Sequence, residues 1–449
     1  MRHRNNRAAA TLRGIGHMLM SRAKAATRPR SSIFESFRVE AFAVLVLAVL
    51  VPSMLISRPL LLDNPNAATL IGGVDNVILG AAVGAVLGLF LLRRVTAFPG
   101  SRVFSYIIPT YATSYGLVFA AFFFLRLDYS RAYLGTSAAL AAMTSYAIHF
   151  YLLRATTKPF YIVPFGKTAA LTELPNVEWI PLTEPAIPPG REAVIVADLR
   201  YDHDDDWERM LAEAAVNGHP VYHVKQIRES LTGRVSIEHL SENSFGSLLP
   251  NLAYRKMKRG IDLLLTLIFL PVLIVPMLVV ALLVRIDSKG PALFKQERMG
   301  YRGRPFMVWK FRTMRECTPE EAAREGFITN DGDDRITRLG RFLRRTRIDE
   351  LPQMWNIIKG EMSWIGPRPE AVALSSWYEQ EIPFYSYRHI VRPGISGWAQ
   401  VNQGHVADLA SVHYKLNYDF FYIKHFSGWL DLLILLKTVG TVVSGFGAK

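Results

Sequence analysis

Cysteine is nearly absent. One residue, Cys317, stands in 449, which excludes an internal disulfide and a cysteine-rich zinc site. Acid is scarce relative to base: 38 Asp and Glu face 52 Lys and Arg, a formal charge of +14. Such an excess suits nucleic acid, an anionic membrane surface or phosphorylated substrates, and its location decides among them. Residues 1–38 hold nine Lys or Arg and one acid, Glu35, ahead of an apolar stretch. A cytosolic anchor flank, residues 1–40, fits this arm better than a nucleic-acid arm, so no nucleic-acid partner is expected. No small-residue cleavage site follows it clearly. Half the residues are apolar in a chain this charged, so the apolar ones must be concentrated, as in a membrane protein with cytosolic parts.

Four apolar stretches, 41–57, 74–92, 104–125 and 133–153, approach the length that spans hydrocarbon as helix. Arg93, Arg94 and Arg102 follow the second, and Arg154, Lys158 and Lys167 follow the fourth, whereas 58–73 holds only Arg58. Basic residues favour the cytosol, so a four-span bundle over 41–153 with both ends cytosolic is expected. Arg126 and Arg131, partly balanced by Asp128, weaken that asymmetry. The stretches are poor in ionisable groups, which disfavours a transporter; His149 near the end of the last reads as an interface residue.

Over 158–250 the pattern changes to short apolar runs, FYIVPF, VEWIPL, AVIVADL and PVYHV, with DWERMLAEAAVNG at helical spacing between the last two. This reads as a Rossmann-like α/β unit with a parallel sheet. Gly166-Lys167-Thr168 follows the first run but lacks the glycine spacing that admits a pyrophosphate. Asp202, Asp204, Asp205 and Asp206 precede the helix, where capping and dipole roles explain them more simply than a metal does.

Residues 263–284 are long enough to cross a bilayer, yet Arg255, Lys256, Lys258 and Arg259 precede them and Arg285, Lys289, Lys295 and Arg298 follow. Positive charge on both flanks places both ends in the cytosol. Pro271 and Pro276 interrupt the middle and bend a helix. A re-entrant helix over 261–286 satisfies both observations. A fifth, kinked span is the alternative, and it would put everything after 285 outside the cell.

The segment RIDSKGPALFKQERMGYRGRPFMVWKFRTM interleaves bases at 295, 298, 302, 304, 310 and 312 with aromatics. Residues 306–311 look strand-like, which puts Lys310 and Arg312 on one face. Such a patch suits a lipid phosphate, a substrate diphosphate or plain adhesion to anionic lipid, and the pattern alone does not separate them. In GRFLRRTRIDELPQMWNIIKGEMSWIGPRPE, Asp349 and Glu350 follow four arginines and precede Pro352. One reading makes Asp349 a helix cap and Glu350 a dipole partner. The other is phosphoryl chemistry, with one carboxylate attacking phosphorus and one ligating Mg²⁺. Gly366-Pro367-Arg368-Pro369 supplies an arginine on a stiff loop. VRPGISGWAQVNQ offers Arg392, Trp398 and Gln400 around a turn that could close over a nucleotide or merely pack.

In this order the motifs FKQERMGYRGRPFMVWKFRTM, RIDELPQMWNIIKGEMSWIGPRP and RPGISGWAQVNQ, after a basic flank and a proline-broken apolar hairpin, resemble the bacterial sugar transferase family. These are the polyprenyl-phosphate hexose-1-phosphate transferases. The resemblance covers about 256–445, and the first two regions look like those appended to the core in larger members. It implies an α/β catalytic domain over 256–449. Asp349 would attack the β-phosphate of a nucleotide diphosphosugar, UDP-glucose or UDP-galactose being expected, with release of the nucleoside monophosphate. Glu350 would hold Mg²⁺. Undecaprenyl phosphate would then take the sugar phosphate, beginning exopolysaccharide or related glycan assembly. Lys310 and Arg368 would neutralise phosphate oxygens, with Arg312, Arg392 and Gln400 as further binding candidates. The implied place is the bacterial inner membrane, multi-pass, catalytic domain in the cytoplasm; a four-span bundle could also pair as a homodimer.

The family usually breaks its hairpin at one proline, often after Ser. Here neither Pro271 nor Pro276 follows Ser, and Pro276 is the favoured break. Residues 428–445 resemble an interfacial helix carrying Asp431 and Lys437. A competing reading is an inactive core acting as a membrane scaffold that recruits later polysaccharide enzymes.

Overall fold

The computed structural model describes residues 36–54, 67–96, 103–155, 160–174, 177–189, 193–237, 250, 252–315, 335–403 and 409–444. The basic arm therefore lies outside the described residues up to position 35, as does Cys317. The chain divides into two compact units, Met1–Thr232 and Gly233–Lys449.

The first unit opens with four helical segments that fall on the four apolar stretches. They are α1 (Phe37–Leu45, continued by a π-type turn, Val46–Leu50), α2 (Ala67–Thr96), α3 (Val103–Leu125) and α4 (Arg131–Ala155). Asp75–Thr96 and Tyr106–Leu125 are long and apolar enough to cross a membrane. Hydroxyl pairs join these helices: Tyr111 to Ser145 at 2.8 Å and Tyr115 to Ser137 at 2.7 Å. Tyr133 donates to the Val49 carbonyl at 2.8 Å.

His149 has a carboxylate beside it. Its Nδ1 lies 3.5 Å from Glu40 of α1, which is buried and paired with Arg93 of α2 at 2.9 Å. Glu40 and Arg93 sit one residue outside the apolar stretches, so a hydropathy window counts them as flanks. The helices run on past the window and turn both charges inward, where a buried charge needs a partner.

The same unit holds four parallel strands, β1 (Phe160–Ile162), β2 (Trp179–Pro181), β3 (Val194–Ala197) and β4 (Val221–His223), in the order β2-β1-β3-β4. They fall on the four apolar runs. Every β3 residue is buried, as a strand covered on both faces should be. Trp207 and Met210 of α5 (Asp205–Val216) pack on Val163 and Ile195, while Ile227 of α6 (Val224–Thr232) packs with Ile162 and Val196. Asp204 caps α5, its carboxylate accepting from the Trp207 amide at 3.1 Å, and Asp205 and Asp206 lie in the first turn, as expected. After β1, the Lys167 amide donates to the Asp198 carboxylate at 2.9 Å.

The second unit begins with α7 (Leu252–Asp287), one continuous helix that contains both Pro271 and Pro276 and is also long and apolar enough to cross a membrane. Its middle exposes Leu267, Ile268, Val272, Val275 and Leu278. Both ends contact the same unit. Near the start, Arg259 donates to the Ile357 and Ile358 carbonyls at 2.5 and 3.0 Å. Near the end, Val284 is buried with Phe311 and Leu343, and Ala281, Val280 and Met277 pack against that cluster.

The rest of the unit is built from short elements: the antiparallel pair β5 (Leu293–Met299) and β6 (Pro305–Phe311), α8 (Arg338–Thr346), a 3-10 turn (Ile348–Gln353) and α9 (Met354–Lys359). Then come β7 (Ser363–Ile365), α10 (Val372–Glu381), a 3-10 turn (Tyr385–Ile390), β8 (Gly394–Ser396) parallel to β7, and α11 (Trp398–Asn402). The last two helices are α12 (Leu409–Lys424) and α13 (Gly428–Ser444). The polar groups of α13 face inward: Asp431 is buried against Tyr254 and Lys258, and Lys437 donates to Asn402. Leu435 and Val439 are left exposed.

Candidate active site

Thr337 caps α8, its Oγ accepting from the Gly340 amide at 2.9 Å, while its own amide donates to the Thr313 carbonyl at 3.1 Å just past β6. The helix ends at Arg347, whose φ of 59° lies in the left-handed region where glycine is the usual occupant. That reversal throws the chain directly into the 3-10 turn, with Asp349 and Glu350 in its first turn and Pro352 inside it. Asp349 is therefore not a helix cap; no extended residue separates α8 from the turn.

Both carboxylates are buried, Asp349 at 9% and Glu350 at 3% exposure. Glu350 Oε1 accepts from Arg368 Nη2 at 2.7 Å and from Lys310 Nζ at 3.2 Å. Asp349 Oδ1 is buried and accepts no hydrogen bond among the described residues. Burial, then the neighbouring Glu350 charge, pushes the Asp349 carboxyl up to about 6. Burial alone would raise Glu350 too, but Arg368 and Lys310 outweigh it and hold that carboxyl well below the usual range. Burial lowers the Lys310 ammonium to about 8 despite Glu350. Adjacent carboxyls with opposite shifts suit two roles, one chemical and one electrostatic.

Two positions of the arrangement come from strands. Lys310 lies on β6, and the loop carrying Arg368 follows β7. That loop is fixed along its backbone: the Gly366 amide donates to the Ser396 carbonyl at 2.8 Å and the Gly394 amide to the Pro367 carbonyl at 3.0 Å. The Arg388 guanidinium donates to the Arg368 carbonyl at 2.8 Å, and Arg298 donates to the Pro369 carbonyl at 3.2 Å. Arg388 is itself held by Asp419 at 2.9 Å and by the Tyr385 hydroxyl at 2.7 Å. The Gly-Ile-Ser-Gly turn thus packs, as β8, against the strand that leads to Arg368. A Cβ at Gly366 would stand 2.3 Å from the Arg392 carbonyl. Replacing Gly366 by Ala is expected to cost about 1–3 kcal/mol through forced backbone movement, and to shift Arg368 relative to Glu350. Thermal unfolding of the variant beside the unmodified protein checks the loss.

The structure brings Lys310 and Arg368 to the Asp349–Glu350 pair. Arg312 instead donates to the Ser288 carbonyl at 2.7 Å, Arg392 to the Gly360 carbonyl at 2.9 Å, and Gln400 to the Ile395 carbonyl at 3.1 Å. Sequence reading missed Asn356, which is fully buried. Its Nδ2 donates to the Met307 carbonyl and to Glu361, both at 2.7 Å, and its Oδ1 accepts from the Trp309 amide at 3.3 Å, joining α9 to β6. It missed Arg298 and Arg388 as well.

No group of three potential metal ligands occurs among the described residues. A Mg²⁺ arriving with a diphosphate needs fewer, since phosphate oxygens and water complete its octahedron beside one or two carboxylates. The Glu350 carboxylate, next to the unpartnered Asp349 oxygen, fits that hard-oxygen donor set and leaves Asp349 Oδ1 uncommitted.

Residues 253–445 match the family described as bacterial sugar transferase. A UDP-N-acetylgalactosamine-undecaprenyl-phosphate N-acetylgalactosaminephosphotransferase of Aeromonas hydrophila is 46% identical over 375 residues, 83% of this chain and 88% of its own. A UDP-glucose:undecaprenyl-phosphate glucose-1-phosphate transferase of Escherichia coli (strain K12) is 42% identical over 187 residues, 41% of this chain and 40% of its own. The exopolysaccharide production protein PSS of Rhizobium leguminosarum bv. phaseoli is 40% identical over 193 residues, 42% of this chain and 94% of its own.

Proposed function

Because the chain belongs to the bacterial sugar transferase family, we propose that it transfers a sugar-1-phosphate from a UDP-sugar to undecaprenyl phosphate through a covalent aspartyl intermediate. The observation that carries this reading is the buried, unpartnered Oδ1 of Asp349 beside a glutamate held by two cations.

Asp349 Oδ1 attacks the β-phosphorus, forming a carboxyl–phosphorus bond as the bond from that phosphorus to the bridging oxygen breaks; the electron pair leaves with uridine monophosphate. An oxygen of undecaprenyl phosphate then attacks the same phosphorus, the aspartyl bond breaks, and Asp349 returns as carboxylate. Splitting the transfer lets a soluble donor and a lipid acceptor use one site in turn. Lys310 and Arg368 neutralise charge on the phosphoryl oxygens. Glu350 would hold Mg²⁺, which supplies further charge neutralisation to the diphosphate.

The sequence pointed to UDP-glucose or UDP-galactose. A relative that aligns along 83% of this chain carries N-acetylgalactosamine in its name, whereas one with UDP-glucose in its name aligns over 41% of it. UDP-N-acetylgalactosamine is accordingly the favoured donor and UDP-glucose the second. Purified enzyme given undecaprenyl phosphate and each nucleotide sugar in turn tests this: uridine monophosphate should appear fastest with UDP-N-acetylgalactosamine, and equal or faster release from UDP-glucose reverses the order.

The membrane arrangement proposed is a multi-pass first unit and a re-entrant α7 that keeps the second unit in the cytoplasm, where UDP-sugars are. Support comes from basic flanks on both sides of α7, two prolines at its middle, and contact of both its ends with one unit.

The pH dependence follows from the two shifted groups. Asp349 must be ionised to attack, so kcat/KM for the donor should fall as pH drops through about 6. Lys310 must keep its proton to neutralise phosphate, so it should fall again as pH rises through about 8. A pH–rate profile reads these limbs as properties of the free enzyme. An acid limb near pH 4 would contradict the raised Asp349.

A further inference from the structure

We infer that Asp262 is a positioning residue that fixes the register of the membrane helix α7 against the strand leading to Arg368. It thereby sets the height at which a bilayer-embedded acceptor meets Asp349. This rests on the transferase reading above and adds a determinant of acceptor presentation to it.

The helix itself is poorly specified by apolar packing. From Leu263 to Val284 it is almost wholly Leu, Ile, Val and Phe, so a slip of one turn, about 5.4 Å, exchanges like for like. Its first half carries something different. Tyr254, Lys258, Asp262 and Thr266, each four residues from the last, are all buried, so one stripe of the helix presents a ladder of polar groups to the core.

Each rung has a directional partner. Tyr254 and Lys258 donate to Asp431 of α13 at 2.5 and 2.6 Å. Asp262 accepts from Ser363 Oγ at 2.7 Å and from the Trp364 amide at 3.4 Å. Thr266 accepts from the Trp364 indole at 3.0 Å. Ser363 and Trp364 are β7, and Gly366, Pro367 and Arg368 follow without a break. The Tyr422 hydroxyl joins the same network, donating to the Ile365 carbonyl at 3.1 Å and to Asp431 at 2.9 Å. The strand that ends in the phosphate-binding arginine is thus held to the membrane helix by a carboxylate.

A buried carboxylate is a poor way to gain stability, since an apolar residue of similar volume often serves as well. Its advantage is direction: these hydrogen bonds form in one register and are all lost in a shifted one. The acceptor is the reactant that needs that register, because its phosphate is presented at a depth set by the bilayer. A soluble donor adjusts its own position.

The test compares two acceptors with the full chain in phospholipid vesicles: undecaprenyl phosphate, and a short water-soluble isoprenyl phosphate whose depth no bilayer dictates. For Asp262→Leu, kcat/KM for undecaprenyl phosphate should fall about tenfold or more, in line with sub-ångström misplacement. The short acceptor should change by less than about threefold, and the burst of uridine monophosphate without acceptor by less than about twofold. Asp262→Asn, which keeps an acceptor oxygen for Ser363 or Trp364, should restore most of the loss. Equal falls with both acceptors, or no change with either, overturn the inference. Should the Leu variant not fold, Ser363→Ala removes a single donor and should give a smaller loss confined to undecaprenyl phosphate; equal losses again overturn it. Absence of the burst in the unmodified protein would sink the covalent intermediate instead, and the acceptor comparison still judges Asp262.

Discussion

Asp349→Asn is expected to lower turnover by about a thousandfold or more and to abolish uridine monophosphate release in the absence of acceptor, since the amide oxygen is no nucleophile toward phosphorus. The same change should leave the protein as stable as before or more so. Asp349 is buried beside Glu350, and its carboxyl is pushed up to about 6 in the fold against 3.8 as its ordinary value. A group raised on folding favours the fold below its unfolded value and loses that benefit as pH rises through the folded one. At pH 7 the ionised Asp349 therefore opposes folding, and a neutral isostere removes the opposition. Near pH 4 the difference should vanish. Thermal unfolding of both proteins at the two pH values reads the stability part; quench-flow detection of uridine monophosphate reads the chemical part. An active Asn variant would discard the covalent path, whereas an inactive and unstable one would mean that the carboxylate holds the fold. The scaffold reading makes a third pattern, in which the unmodified chain also releases nothing.

The residues legible in the sequence are those whose roles are local. Asp349 and Glu350 stand out as acid in a run of arginines, and Arg368 stands between two prolines. Lys310 and Arg312 share strand parity, so the periodicity puts both on one face. The structure separates them by their partners: the Arg312 amide still donates to the Ala292 carbonyl beside β5, but its guanidinium turns back to Ser288, while Lys310 reaches Glu350. Arg298 looked like one of six scattered bases, and only the fold turns it to the Pro369 carbonyl.

What stayed hidden depends on pairing across the chain. Arg388 meets Asp419 31 residues away, Asp262 meets Ser363 101 residues away, and Lys258 meets Asp431 173 residues away. One sequence contains no signal for such partners. Glu40 was hidden differently: it borders an apolar stretch and passes for a flank until Arg93 and His149 are seen beside it. The parallel sheet of the first unit was legible because each strand is a short apolar run closed by a turn, and its helix begins at a carboxylate that caps it.

Glu350→Gln should also abolish activity, and unlike Asp349→Asn it should destabilise the protein strongly. Removing the shared anion leaves Lys310 and Arg368 facing each other, with Asp349 and, for Arg368, Glu370 as the remaining anions. Their side chains are 18% and 27% exposed, so water relieves part of the penalty and a loss of about 2–4 kcal/mol is expected. The two cations respond differently. Lys310 is already lowered to about 8 by burial, with Glu350 working to hold it up. Without Glu350 it can shed its proton near neutral pH. Arg368 cannot, because a guanidinium keeps its charge in proteins. Adding Arg368→Met to Glu350→Gln should therefore recover more stability than adding Lys310→Met, even though both doubles remain inactive. Unfolding midpoints of the two double variants in one detergent decide the matter: equal recovery would show that Lys310 stays charged without its partner, and that the cluster is held by Coulomb attraction alone.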